Sequence, residues 1–205
     1  MVNIAVLVSG GGTNLQALID AEKRGELGVG RLTLCISSND KAYALTRAKD
    51  HGIRTAVVAK RAYSDMDTYA QALLDMLRGD DIGLIVLAGF LTILPDAVIA
   101  AYRDRIINVH PSLIPSFSGE GFYGLRVHEA ALDYGVKVTG ATVHLVSEVV
   151  DGGKILLQKA VEVLPGDTPE TLQKRVMREA EWQLLPRAAA LLCEEIANEK
   201  ETNNR

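Results

Sequence analysis

Through the first half of the chain, short unbroken apolar runs alternate with segments whose apolar residues recur every three or four positions. The runs are Ile4–Val8, Leu32–Ile36, Thr55–Ala59, Leu84–Ala88 and Ile106–His110. They are rich in β-branched residues and show no polar alternation, the pattern of strands covered on both faces. Between them, Asn14–Arg24, Lys41–His51, Asp65–Arg78 and Leu94–Arg103 carry helical spacing, the last with Pro95 placed for a first turn. A β-α-β-α series of this kind predicts an α/β fold: an open twisted, mostly parallel sheet with right-handed crossovers and helices on both faces.

The second half reads differently. A glycine-rich loop, Pro115–Gly124, leads to a short helix over His128–Tyr134, then to strand-like stretches at Val136–Ser147 and Lys154–Val163. The turn between those stretches ends in Gly-Gly, so they are expected to form a C-terminal antiparallel hairpin. Thr168 and Pro169 open a long terminal helix that Pro186 is expected to kink or divide. Residues 199–205 read as a disordered tail.

Composition narrows the function classes. With 205 residues, 48% of them hydrophobic and 23% charged, the chain is expected to form one domain over 1–205 with a sizeable core. The formal net charge of −4 is spread along the sequence, which gives no electrostatic footprint for nucleic acid or a membrane surface. Small molecules are therefore the expected partners, with the protein a monomer or a homodimer. The opening MVNIAVLVSGGG lacks a basic n-region and reaches glycine too soon for a signal peptide or a membrane span, so a cytoplasmic location is expected. Cys35 and Cys193 have no ligand-like neighbours and read as structural thiols.

Three places carry candidate chemistry. Ser9–Asn14, SGGGTN, joins the first strand to the first helix. Its glycines let backbone approach a ligand, and the helix N-terminus offers unpaired N–H groups to an anion. Leu15 stands where a dinucleotide fingerprint needs glycine and no Gly-Lys-Ser/Thr follows, so a single phosphate suits the loop best. In NVHPSLIP, Asn108 and His110 lie two residues apart at a strand end, hence on one side of the strand and at the carboxyl edge where open sheets bind ligands. Asp151, in the hairpin turn, is the third. Alone it is turn chemistry; beside His110 it would favour the imidazolium and allow proton relay near neutrality. His110, His128, His144 and Asp151 lack metal-site spacing, and Ser112 lacks a nucleophile elbow.

Taken together, VLVSGGGTNLQALID, VLAGFLTIL, INVHPSLIPSF, VHLVSEVVDGGKILLQ, and EW with a following proline resemble the folate-dependent glycinamide ribonucleotide formyltransferases of the formyltransferase superfamily. The similarity runs from about residue 2 to about residue 190. It implies a Rossmann-like formyltransferase fold and transfer of the formyl group of 10-formyltetrahydrofolate, as co-substrate and without a metal, to the amine of 5-phosphoribosylglycinamide. It places Gly11, Gly12, Thr13 and Asn14 in the substrate's phosphate cradle and Glu181 against its glycyl amine. Asn108, His110 and Asp151 become the catalytic trio. Met66, Phe90, Leu91, Thr92, Ile93, Leu94, Asn108, Ser147, Glu148, Val149 and Val150 become the folate pocket. On this reading residues 1–103 hold the phosphate substrate, and 104–198 carry catalysis and folate.

The chain also departs from the family pattern. Met66 stands where many members have a basic residue, and Thr92 replaces a common arginine. The loop Ser116–Leu132, with Glu120 and Tyr123 at the expected pocket rim, is longer than a form found in some members, and a small insertion falls near Arg178. Two alternatives remain open: another formyltetrahydrofolate-using enzyme of the superfamily, and a non-catalytic nucleotide-binding module with Asp40 on a ribose.

Overall fold

The computed structural model describes residues 1–203. Strands β1 (Val2–Val8), β2 (Gly30–Ser37), β3 (Arg54–Val57), β4 (Ile82–Leu87) and β5 (Ile106–His110) are parallel; β6 (Val138–Leu145) and β7 (Ile155–Glu162) add an antiparallel hairpin. All seven form one sheet in the order β3-β2-β1-β4-β5-β6-β7. The helices are α1 (Thr13–Lys23), α2 (Tyr43–Asp50), α3 (Met66–Gly79), α4 (Asp96–Ala101), α5 (Leu125–Tyr134), α6 (Pro169–Val176) and α7 (Trp182–Asn203).

The unbroken apolar runs are explained by cores on both faces of the sheet. Along β1, Ile4, Val6 and Val8 feed one cluster with α1, α2, α6 and α7, while Ala5 and Leu7 feed another with α3 and α4. In β4, Leu84 and Val86 go to the first cluster, Ile85 and Leu87 to the second. Side chains alternate across a strand, so a doubly covered strand must be apolar at every position. Cys35 and Cys193 are free and buried in the first cluster, and burial pushes both thiols up to about 12.

Several boundaries differ from expectation. β3 covers Arg54–Val57 instead of Thr55–Ala59, and as an edge strand it is only partly buried. α4 is shorter than Leu94–Arg103, because Pro95 sits at its N-cap in extended conformation and not inside its first turn. α5 begins at Leu125, ahead of His128. Pro186 does not divide the terminal helix. The irregularity comes earlier, as a π turn over Met177–Glu181, where the small insertion near Arg178 falls. The tail expected from residue 199 is helical through Asn203, and residues 204–205 lie outside the described residues.

The topology creates the cleft. The chain builds from β1 through β2 to β3, then returns to the other side of β1 for β4. The loops leaving the carboxyl ends of β1 and β4 therefore part in opposite directions, the geometry that opens ligand crevices in α/β sheets. Among the described residues no helix is long and apolar enough to cross a membrane.

Candidate active site

The glycine-rich loop is held from its carbonyl side. Ala44 N–H donates to Gly10 O at 3.1 Å, and Arg47 Nε donates to Gly11 O at 2.9 Å. Gly12 caps α1 at φ 73°, and a Cβ there would lie 2.6 Å from Ala44 Cβ, so glycine is demanded by both conformation and packing. With these carbonyls engaged by α2, the loop's N–H groups remain for a ligand. No side chain caps α1 and no acidic residue occupies its first turn, which leaves the helix N-terminus electropositive. Arg47 adds a cation; it also donates to Gln16 Oε1 at 3.0 Å and lies over the Tyr43 ring.

Asn14, in the first turn, is buried and donates from Nδ2 to Glu181 Oε2 at 2.7 Å, while its Oδ1 has no partner among the described residues. The pair links residues 1–103 to residues 104–198. The π turn brings Glu181 there, since one extra residue per turn rotates the following side chains onto a new face. Burial raises the Glu181 carboxyl to about 7, against the lowering effect of the Asn14 amide.

At the end of β5 the sheet does what the spacing promises. Asn108 and His110 project to one side and meet Asp151 from the β6–β7 turn: His110 Nδ1 lies 3.4 Å from Asp151 Oδ2, and Asn108 Nδ2 lies 3.5 Å from Asp151 Oδ1. Asp151 adopts φ 54°, a left-handed conformation that aspartate tolerates better than most residues. Gly153 then passes so close to β6 that a Cβ would overlap the Leu145 carbonyl. The Asp-Gly-Gly turn thus delivers this carboxylate to the sheet, with glycine required at Gly153 by the close approach.

Other groups complete the cluster, among them His144, which the sequence reading considered only as a metal ligand and set aside. His144, paired with Asn108 across β5 and β6, is buried; its Nδ1 lies 2.9 Å from Leu145 O and its Nε2 3.2 Å from Asn108 Nδ2. Asp151 Oδ1 lies 3.5 Å from the same nitrogen, so His144 contacts both the Asn108 amide and the Asp151 carboxylate and helps to orient Asn108. Its place directly opposite Asn108 follows from register, and alternation in Val136–Ser147 was the one available signal. Backbone of the long loop supplies the rest: Gly119 N–H donates to Asp151 Oδ2 at 2.9 Å, and His110 Nε2 lies 2.8 Å from Phe117 O. Ser112 donates to Ser116 O at 2.6 Å and is buried, which rules it out as a nucleophile here.

The charge state corrects one expectation. Burial lowers His110 below its ordinary value, and this outweighs the raising effects of Asp151 and of the Phe117 carbonyl. The resting imidazole is therefore neutral near pH 7, not cationic as the sequence reading supposed. For Asp151, burial acts upward, but the hydrogen bonds from His144 and the Gly119 N–H, with the nearby His110, together bring it below its ordinary value. It is an ionised carboxylate facing two imidazoles through different oxygens. Among the described residues no group of three or more histidine, cysteine and acidic side chains is arranged to hold a metal.

The remaining expected residues lie in the loop after β4, in the turn before Asp151 and at the start of α3. Phe90–Leu94 follow β4 at the switch point: Leu91 and Ile93 are 64% and 69% exposed, and Leu94 is buried in the second core. Ser147–Val150 form the hairpin turn before Asp151; Val149 and Val150 are exposed, and Glu148 pairs with Arg103 at 2.9 Å. Met66 begins α3 with its side chain partly in solvent.

Residues 2–189 match the family described as formyl transferase. The chloroplastic phosphoribosylglycinamide formyltransferase of Vigna unguiculata is 38% identical over 192 residues, 94% of this chain and 61% of that protein. The chain thus spans about three-fifths of that curated relative's length. The phosphoribosylglycinamide formyltransferase of Haemophilus influenzae is 39% identical over 186 residues, 91% of this chain and 84% of that one. Among solved structures, glycinamide ribonucleotide transformylase 1 from Symbiobacterium toebii superposes with a TM-score of 0.89 at 40% identity, covering 95% of this chain and 89% of that one.

Proposed function

The chain belongs to the formyl transferase family, and from that premise we propose that it passes the formyl group of 10-formyltetrahydrofolate to the amine of 5-phosphoribosylglycinamide, a step of purine synthesis. One observation carries the reading: Asn108, His110 and Asp151 converge at the end of β5, in the sheet whose β1 end carries an uncapped helix N-terminus suited to phosphate.

In the reaction the amine lone pair forms a C–N bond to the formyl carbon and the carbonyl π pair moves to oxygen. Collapse re-forms the carbonyl and breaks the bond to folate N10, while a proton passes from the attacking nitrogen to N10. Asn108, oriented by His144, donates to the developing oxyanion, and His110 Nε2–H is the second donor. In the free protein Phe117 O takes that hydrogen bond, in the place of the formyl oxygen. Negative charge on the oxygen, together with ionised Asp151 beside Nδ1, draws His110 toward its cationic form as the reaction proceeds. Asp151 then relays the proton between the two nitrogens.

The acceptor's phosphate lies on the N–H groups of Gly11, Gly12, Thr13 and Asn14. Its amine meets Glu181 and the unpartnered Asn14 Oδ1, two acceptors suited to N–H donors. Folate lies along Met66, Phe90–Leu94, Asn108 and Ser147–Val150. Residues 1–205 work as one domain, in which both ligands draw on both halves of the chain.

Steady-state formyl transfer by wild type and Asp151→Asn tests the reading. We expect turnover in the variant to fall roughly 100- to 10,000-fold, with the KM of the phosphorylated acceptor within a few-fold of wild type. Transfer by the wild type only to methionyl-tRNA or to water would reject the substrate assignment, and full turnover by Asp151→Asn would reject the relay.

A further inference from the structure

One row of the sheet runs from the site to the edge. His110 of β5 is paired with Thr142 of β6, and Thr142 with Gln158 of β7. Side chains of directly paired residues leave a sheet on the same face, so the imidazole, the hydroxyl and the amide stand side by side. The backbone of Gln158 lies two strand spacings, about 10 Å, from that of His110.

This row fastens the segment that follows His110. Thr142 is buried; its Oγ1 donates to Ser112 O at 2.7 Å and accepts Ile114 N–H at 3.1 Å. Gln158 Nε2 donates to Thr142 Oγ1 and to Ile114 O, each at 3.0 Å. The hydroxyl has already given its one hydrogen to Ser112 O and a carbonyl has none to give, so both partners demand a donor and fix which way the amide faces. Leu113 packs so closely on β6 that a Cβ on Gly140 would lie 2.9 Å from its Cδ2. The held turn continues to Ser116, whose N–H donates to Leu113 O at 3.0 Å and whose carbonyl accepts from Ser112 Oγ at 2.6 Å. Next in the chain comes Phe117, with its carbonyl on His110 Nε2, and then Gly119, with its N–H on Asp151.

Resting on the formyl-transfer reading above, we propose that Gln158 is a positioning residue for His110: its amide locks the turn after β5, and that turn sets the imidazole between Asp151 and the Phe117 carbonyl. Gln158 is exposed on an edge strand, where solvent would satisfy its amide and the fold asks for no particular polar side chain. The reaction asks for more. A donor to the developing oxyanion acts only at hydrogen-bond distance, and a displacement of about 1 Å costs on the order of 100-fold in rate.

The test compares wild type with Gln158→Met, which keeps the reach of the side chain and removes both donors, and Gln158→Glu, which keeps its shape and presents acceptors in their place. In steady-state formyl transfer near neutral pH, kcat is expected to fall roughly 10- to 100-fold in both variants, while the KM of the phosphorylated acceptor stays within about twofold because its cradle lies at the end of β1. Full turnover in either variant, a loss carried by the acceptor KM, or a variant that no longer unfolds cooperatively in urea would each overturn the role. If wild type transfers no formyl group, the underlying reading fails, and nitrogen-15 NMR of the imidazoles decides the positioning by itself. The His110 ring nitrogen shifts, which report its hydrogen bonds, should then move in both variants while those of His51 on α2 stay in place; unchanged His110 shifts would overturn the proposal.

Discussion

Arg47 acts on the carbonyl side of the glycine-rich loop, binding Gly11 O and Gln16 while stacked on Tyr43. Its loss frees a carbonyl to turn toward the ligand and removes a nearby positive charge. For Arg47→Met we expect the KM of the phosphorylated acceptor to rise roughly 5- to 30-fold, the worth of one or two charge-assisted hydrogen bonds, with the folate KM within twofold. Arg47→Lys should not rescue, since lysine lacks the fork that reaches both acceptors. An unchanged acceptor KM in steady-state assays would show that the loop holds itself. At this scale the sequence was informative where chemistry depends on local spacing. Asn108 and His110 share a strand face because they are two apart, and the glycines of Ser9–Asn14 mark a close backbone approach. It was silent on Arg47 and considered His144 only as a metal ligand, because the roles of both depend on which strand or loop lies opposite, and it misjudged the His110 charge because burial outweighs one favourable neighbour.

The β7–α6 junction shows how one element is anchored. Thr168 caps α6 and pairs reciprocally with Thr171, and Arg175 reaches back to Asp167 with two hydrogen bonds of 2.6 Å each. Arg175 holds the Asp167 carboxyl well below the usual carboxylate range. A depressed carboxylate contributes stability above its unfolded value, and that contribution is lost only as pH falls below about 4. Asp167→Asn should therefore cost about 1–3 kcal/mol at pH 7, with the fork reduced to a neutral contact. Urea melts should show the gap narrowing near pH 3; a gap independent of pH would contradict the ion pair. The element pattern itself was legible wherever apolar period and punctuation agreed, as in β1, β4, α3 and the Thr168-Pro169 start of α6. β3 and α4 were drawn too long in the interior sense because edge exposure and a proline in extended conformation leave no periodic mark. The π turn was invisible to periodicity, since it is an irregularity of backbone hydrogen bonding.

Across the whole molecule, acid sensitivity is expected to follow from His128 as well as from the site. Its ring is fully buried with neither nitrogen partnered among the described residues, and burial lowers its value from 6.5 to about 4, with His110 acting in the same direction. Between those values the unfolded chain binds a proton that the folded protein refuses, so stability falls as pH drops through that window, by on the order of 3 kcal/mol. Urea midpoints at pH 7.5 and 5 should diverge more for wild type than for His128→Leu, and equal losses would refute the assignment. The alternation of apolar runs and amphipathic segments was enough to specify a doubly covered parallel sheet, and the glycine loop, the Asn-x-His strand end and the Asp-Gly-Gly turn were enough to nominate candidate groups, because each depends on residues adjacent along the chain. Which groups meet was settled only by folding: the strand order that parts the β1 and β4 loops, the β5–β6 register that sets His144 against Asn108, the π turn that delivers Glu181 to Asn14, and the burial that neutralises His110. Those are consequences of contacts between distant segments, and a linear chain carries no local sign of them.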